Sequence, residues 1–374
     1  GSYYTPSSLI SVLLDSALDP VLAEIADKRT KEEAERAILE MSVVDPAAGS
    51  GHFLVAAAHR IAKRLAQVRT EDEEPAPTAI TTALRDVIGH CLYAVDINPM
   101  AVELCKVSLW LETLEPGKPL TFLDAHIKCG NSLLGTTPEL IAKGIPDAAY
   151  DPIEGDDKAV AAALKKRNRA ERDQGQQTLT VAETGGDVPR LAAELDSVES
   201  TSDETPAGLR QKANAYELAQ ESQARLLALA TANIWCTAFF LPKVSGAPNV
   251  TSSMLQHPRS VLGADGVAIR EAAAAIGLFH WEYEFPRVFQ RGGFDAVIGN
   301  PPWERVKLQE KEFFAQRDER IAAARNASVR KKLIAGLELD NPALYHQFQL
   351  AARNAAAESQ FVRRSLRYPL SGRG

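Results

Sequence analysis

The sequence predicts an α/β fold built on a doubly wound parallel sheet. Three observations predict it. Short apolar runs end in polar residues at SVVDPAAGSG, CLYAVDINP and FDAVIGNPPW; segments of helical period separate them; and glycine or proline follows each run as a turn signal. Parallel strands need helical crossovers, and such sheets carry their ligand-facing residues at the C-terminal strand ends. The chain has 374 residues, 45% of them hydrophobic and 24% charged, enough apolar content for one large domain or two smaller ones.

Residues 7 to 40 place Leu9, Val12 and Leu13, then Val21, Leu22 and Ile25, then Ala34, Ala37 and Ile38 at helical spacing, with Asp19-Pro20 as punctuation. Two helices are expected there. The period changes at SVVDPAAGSGHFL, which reads as strand, loop and then helix to about Ala66. An acidic stretch, TEDEEPAPT, precedes a helix to Gly89 and a second strand in CLYAVDINP. Residues 99 to 114 read as helix, HIKCGNSLLG as a third strand and FDAVIGNPPW as a fourth.

Five segments are expected: a helical N-terminal segment 1–40; the first part of the sheet domain, 41–135; a helical, partly mobile insertion, 136–280; a strand and loop, 281–304; and a basic helical tail, 305–374. Within the insertion, residues 150 to 210 are strongly polar, with helical stretches such as KAVAAALKKRNRAERDQ. The later stretch LRQKANAYELAQESQARLLALATANIWCTAFFL is better patterned and should pack through Leu226, Leu227, Leu229, Ile234, Trp235 and Phe239.

No run approaches the roughly 18 to 20 apolar residues of a membrane span, and the first residues lack a basic stretch leading into an apolar one. The expected address is cytoplasmic. Cys91, Cys105, Cys129 and Cys236 show no C-x-x-C pairing, so buried thiols are expected and no metal or disulfide framework. The net charge of −7 hides an asymmetry, because from Arg305 onward there are 14 Lys and Arg against 7 Asp and Glu. Such a block suits either a phosphate backbone or a solvated helical surface.

Three constellations carry chemistry. In Asp45-Pro46-Ala47-Ala48-Gly49-Ser50-Gly51-His52-Phe53, glycines at a strand-to-helix turn permit a close ligand approach beside the N–H groups of a helix start; a tight structural turn is the plainer reading. Asp96 ends the second apolar run, where a carboxylate accepts hydrogen bonds from vicinal ribose hydroxyls, or merely caps a turn. Asn300-Pro301-Pro302-Trp303 is the most specific. Its prolines stiffen the backbone and lack N–H donors, Asn300 supplies a fixed amide oxygen, and Trp303 offers a ring on which a base stacks.

YYTP, DPAAGSGHFL, AVDINP, CGNSLLG and GNPPW, in that order over residues 3 to 303, resemble the motifs of amino-methylating DNA methyltransferases. The pattern is similar to adenine-N6 enzymes of the gamma arrangement, and within them to the large methylases of type IIG and IIL restriction-modification and of the BREX and DISARM phage-defence systems. The resemblance implies a Rossmann-like sheet that binds S-adenosylmethionine, with S-adenosylhomocysteine as product. On that pattern Tyr4, Thr5 and Pro6 hold the methionine end, and Asp45, Ala47, Gly49, Gly51 and Phe53 form the floor. Asp96 takes the ribose, Ile97 lies against the cofactor adenine, and Asn131 hydrogen-bonds near that ring, where the family often has aspartate. Asn300 and the Pro301 carbonyl would accept the two N–H bonds of a flipped adenine from double-stranded DNA, with Pro302 holding the loop and Trp303 stacking on the base.

A methyltransferase of this pattern has further strands and a target-recognition domain after the N-P-P-W strand. The residues after Trp303 read as helix, so an incomplete sheet with an exposed edge is expected, together with self-association or a covering partner, such as another defence-system subunit or a further part of the protein. Two alternatives stay open. One is methylation of a glutamine amide or of a ribosomal RNA guanine, chemistry that shares N-P-P plus an aromatic residue. The other is a non-catalytic scaffold subunit of a defence complex.

Overall fold

The computed structural model describes residues 5–27, 29–175, 187–262, 266–302 and 308–370. The chain divides into two compact units, the first made of residues 1–138, 181–230 and 274–302, the second of 139–180, 231–273 and 303–374.

The first unit opens with three helices where two were expected: α1 (Ser7–Ala17), α2 (Asp19–Ala26) and α3 (Lys31–Leu39). The extra start is a capping box. Thr30 Oγ1 accepts from the Glu33 N–H, and the Thr30 N–H donates back to Glu33 Oε2, so two otherwise orphaned donors at the new helix end are satisfied. Strand β1 (Val43–Asp45) then leads through the glycine turn into α4 (His52–Thr70), and α5 (Pro77–His90), β2 (Leu92–Asp96), α6 (Pro99–Glu112) and β3 (Ile127–Cys129) follow. Helix α4 runs four residues past the expected end at Ala66, and its last turn is secured by Arg69, which pairs with Glu35 and Asp86.

The expected strand at FDAVIGN forms as β4 (Ala296–Val297). The four strands make one parallel sheet in the order β3-β2-β1-β4. Side chains alternate across it. Val43, Leu92, Ala94, Ile127 and Ala296 face a core with Leu54, Ala57, Ala58, Ile61 and Leu65 of α4 and Ala83, Leu84, Val87 and Ile88 of α5. Val44, Tyr93 and Val95 face the other way, onto Phe279, Phe285 and Val288. Both faces are therefore covered, which is why β1 and β2 read as unbroken apolar runs.

The second cover comes from residues 279–294, including short helices at Trp281–Glu284 and Pro286–Gln290. It is fixed by charge as well as by rings. Glu284 accepts from Lys128 Nζ at 3.0 Å and from Arg225 Nη2 at 2.8 Å. Burial alone would raise this carboxyl, but the two cations outweigh it and hold it down at about 2. This ion triad corrects one packing expectation. Helix Gln223–Phe240 turns Arg225 inward at 6% exposure, toward the Tyr283 carbonyl and Glu284, which leaves Leu226 44% exposed. Ile234, Trp235 and Phe239 are buried as expected.

In the second unit, Lys158–Gly175 is helical as the pattern predicted. Its seat is polar: buried Asn168 donates to the Ile145 carbonyl and accepts from Ser252 N–H and Oγ. Helices Ala327–Asp340 and Pro342–Arg364 occupy the basic tail, and Phe361 packs edge-on against Trp235 and Phe239. Part of the tail's positive charge is neutralised internally, since Arg320 pairs with Asp318, Arg330 with Glu310, Arg353 with Asp156 and Arg364 with Asp151. Of the four cysteines, Cys91, Cys105 and Cys236 are buried thiols, whereas Cys129 is exposed because it is the last residue of β3. Among the described residues no helix is long and apolar enough to cross a membrane.

Candidate active site

Parallel strands bring the C-terminal ends of β1, β2, β3 and β4 to one edge of the sheet, and the motif residues follow those ends. At the end of β1, Asp45 accepts from the Ala47 N–H at 3.0 Å, which shapes the turn. The Ala48 N–H donates to the Val95 carbonyl, tying the turn to β2. Gly51 has φ +86° and is the residue before α4, so the turn delivers the helix start to the same edge. A Cβ on Gly49 would meet nothing within 4 Å. The space beside it is open.

Asp96 joins two segments. One oxygen accepts from the Gly49 N–H at 2.9 Å and the other from the Asn98 N–H at 2.8 Å. A carboxylate has about four acceptor positions, so two of them hold the backbone while the half-buried group keeps capacity toward solvent. Ile97 beside it is 61% exposed, an apolar surface at the mouth of the turn. Asn131 follows β3. Its Oδ1 accepts from the Leu133 N–H, and its own N–H donates to the Gly277 carbonyl, so the returning chain at 277–280 is stitched to this loop. The structure thus brings Asp45, Ala47, Gly49, Gly51, Asp96, Ile97 and Asn131 to one edge. Phe53 points away, 7% exposed within the core.

The loop after β4 reaches the same edge beside β1. Ser42 N–H and Oγ both donate to Asp295 Oδ2, at 2.7 and 2.9 Å, and the Ile298 N–H donates to the Val44 carbonyl. Gly299 then passes against the Asp45 carboxylate. It has φ +145°, and a Cβ there would lie 2.5 Å from Asp45 Oδ1. Only glycine suits both the angle and the contact. Asn300 is exposed, and its Nδ2 donates to Thr5 Oγ1 at 3.3 Å, which joins the N-terminal Thr5-Pro6 to the Asn-Pro-Pro loop. Pro301 and Pro302 are exposed; Tyr4 and Trp303 lie outside the described residues.

Asp45 has the most perturbed carboxyl at this edge. Burial pushes it up to about 7 against the pull of the Ala47 N–H, and nearby Asp96 adds to the rise. A buried acid with one internal donor is costly to ionise, and perturbed carboxyls of this kind cluster where ligands bind.

A cavity of about 680 Å³ opens elsewhere, lined by residues that include Glu35, Arg36, His90, Tyr93, Glu199 and Arg287. Leu39 and His90 of its wall precede β1 and β2, so it sits at the N-terminal strand ends and holds none of the motif residues. The motif edge, a shelf at the C-terminal ends of the strands, lies at the other end of the sheet. Two features of the shelf were missed from sequence. In the sequence Gly299 reads only as part of a strand-like run, and its contact with Asp45 joins residues 254 positions apart. The bond from Asn300 to Thr5 spans 295 positions and left no local pattern.

Residues 90–342 match the family described as Eco57I restriction-modification methylase, and residues 1–140 match the N-6 DNA methylase family. An inferred type II restriction enzyme and methyltransferase of Methanocaldococcus jannaschii is 26% identical over 366 residues, covering 85% of this chain and 29% of that protein. The chain therefore spans less than a third of the length of this relative. No solved structure matches it significantly. With most of its length inside the first match and its N-terminal motifs inside the second, the chain belongs to the Eco57I restriction-modification methylase family, within the adenine-N6 DNA methyltransferases of restriction-modification type.

Proposed function

We propose that this chain binds S-adenosylmethionine at the shelf and transfers its methyl group to the N6 amino group of adenine in double-stranded DNA, within a restriction-modification or phage-defence system. The observation that carries the reading is the placement of the Asn300 loop, at the end of β4, where Gly299 lies directly against Asp45, the residue that opens the glycine turn of β1. A donor on the turn and an acceptor base at Asn300 would be neighbours. The strand order β3-β2-β1-β4 is the leading part of the doubly wound order and supports a Rossmann-like sheet.

The residues present fit the cofactor. Open space over Gly49 admits its methionine part, the remaining acceptor capacity of Asp96 suits the ribose hydroxyls, and exposed Ile97 suits the face of a purine. Asn131 would pair with an edge of that purine, since an amide both donates and accepts. Thr5 and Pro6, which the fold delivers to the same edge, would contact the methionine end, with Tyr4 beside them by sequence. When bound, the cofactor supplies an electrophilic methyl group on a sulfonium sulfur.

The adenine amino nitrogen is conjugated with its ring and is a poor nucleophile. Asn300 Oδ1 and the Pro301 carbonyl would accept its two N–H bonds, so that its lone pair turns out of the ring plane toward the methyl; the nitrogen gains the methyl and gives up one proton to solvent. Because Pro302 has no N–H, the loop offers acceptors there and few competing donors. The base must leave the helix to reach this loop, and Trp303 would stack on it there. The basic tail, less the arginines that pair internally, would lie along the DNA backbone.

Calorimetric titration with S-adenosylhomocysteine tests the donor half: the original chain binds and Asp96→Ala abolishes binding. Tritium transfer from labelled cofactor, with duplex DNA, RNA and protein offered side by side, tests the acceptor half. Label in DNA adenine is expected. Label in protein or RNA instead would overturn the reading.

A further inference from the structure

We propose, on the cofactor reading given above, that Asn131 meets the purine as a hydrogen-bond donor, so that it selects a ring nitrogen at the purine edge rather than the exocyclic amino group. The Asn131 backbone is held on both sides. Its N–H donates to the Gly277 carbonyl at 2.7 Å and its carbonyl accepts from the Leu134 N–H at 3.0 Å. The preceding Gly130 N–H donates to the Asp96 carbonyl at 2.9 Å, and Cys129 is the register partner of Asp96 in the sheet. Asn131 therefore stands beside the segment of Asp96 and Ile97 that would carry the ribose and the purine.

The side-chain amide is oriented as well. Its Oδ1 accepts from the Leu133 N–H at 3.1 Å. A backbone N–H can only donate, so this bond requires the oxygen and excludes the flipped amide, which would set donor against donor. The oxygen end is thus engaged by the protein's own loop. The side chain is half-buried, and among the described residues its amide nitrogen has no hydrogen-bond partner. What the amide holds in reserve for a ligand is N–H. Adenine meets a donor with its ring nitrogens and an acceptor with its amino group, so an N–H suits the first and opposes the second.

Asn131→Asp tests that one atom. A carboxylate oxygen can still accept from the Leu133 N–H, which keeps the loop, while the other end changes from donor to acceptor. Calorimetry on both chains would compare S-adenosylhomocysteine with its analogue carrying hydrogen in place of the purine amino group. The preference of Asn131→Asp for the amino-bearing ligand should exceed that of the original chain roughly ten- to a hundredfold, the worth of one hydrogen bond to a charged group. Because the preference is a ratio, a general loss of affinity from a disturbed loop cancels out of it.

Asn131→Ser keeps an oxygen for the turn and removes the N–H, so it should weaken both ligands and leave the preference unchanged. A preference that falls in Asn131→Ser would mean that Asn131 had been holding the amino group, and would overturn the inference. The side-chain amide spectrum of ¹⁵N-asparagine-labelled chain decides the matter if Asn131→Asp does not fold. The Asn131 pair of resonances, identified by its loss in Asn131→Ser, should shift when either ligand binds. An equal or smaller preference in Asn131→Asp, or Asn131 resonances indifferent to both ligands, overturns the inference and leaves the methyltransferase reading standing. A folded original chain that binds no S-adenosylhomocysteine overturns that reading, and the inference with it.

Discussion

Asp45 and Gly299 meet at the shelf, and each yields a prediction. In Gly299→Ala, the new methyl group must displace the Asp45 carboxylate, and the backbone must hold a φ that side chains rarely adopt. Loss of roughly 1 to 3 kcal/mol is expected in chemical denaturation, and on the proposed methyl-transfer reading methylation falls further than cofactor affinity because Asn300 follows directly. Asp45 titrates at about 7 when folded, against an ordinary value of 3.8. The folded chain therefore holds more protons than the unfolded chain between pH 4 and 7, and stability falls as pH rises through that interval. Asp45→Asn has no such proton to lose. Its melting temperature should overtake that of the original chain between pH 6 and 8, and parallel melting curves across that range would contradict the raised carboxyl.

Elements were legible in the sequence where local chemistry decides them. The strand ends at Asp45 and Asp96 and the stiff loop at Pro301-Pro302 follow from period, glycine and proline alone. The third N-terminal helix was legible in principle, as Thr30-x-x-Glu33, but its apolar positions continue those of the helix before it and hide the start. Helix Gln223–Phe240 misleads for a different reason. Its apolar residues surround it, so periodicity does not say which face turns inward, and a distant charge on Glu284 selects Arg225. Arg225→Ala should then destabilise the fold in chemical denaturation, by less than the roughly 3 to 5 kcal/mol of a fully stranded buried charge, because Lys128 still pairs with Glu284. Leu226→Ala, on the exposed side, should change thermal stability little. Within α4, Leu54 is fully buried, and Leu54→Ala should cost roughly 2 to 5 kcal/mol.

At the scale of the molecule, the expectation of an exposed sheet edge turns on β4. Among the described residues its outer side has no strand partner, and Val297 is 63% exposed. Such an edge invites pairing, and a single lysine is the usual deterrent. If the edge drives self-association, Val297→Lys should raise the monomer fraction in light scattering while leaving the melt intact. Equal masses for both chains would place any association elsewhere. Two of the boundaries between the compact units, after Ala230 and after Ala273, fall inside the helices Gln223–Phe240 and Val267–Ile276, where no turn signal in the sequence marks them.

The bonds from Ser42 to Asp295 close a span of 253 residues. At the usual pace of synthesis, about 5 to 20 residues per second, β1 leaves the ribosome roughly 13 to 50 s before β4 exists. During that time β1, β2 and β3 can assemble with their helices, and the glycine turn and Asp96 can take their places, while one side of β1 stays open. The molecule is thus born in two stages, first the glycine turn with Asp96 and only much later the Asn300 loop that completes the edge.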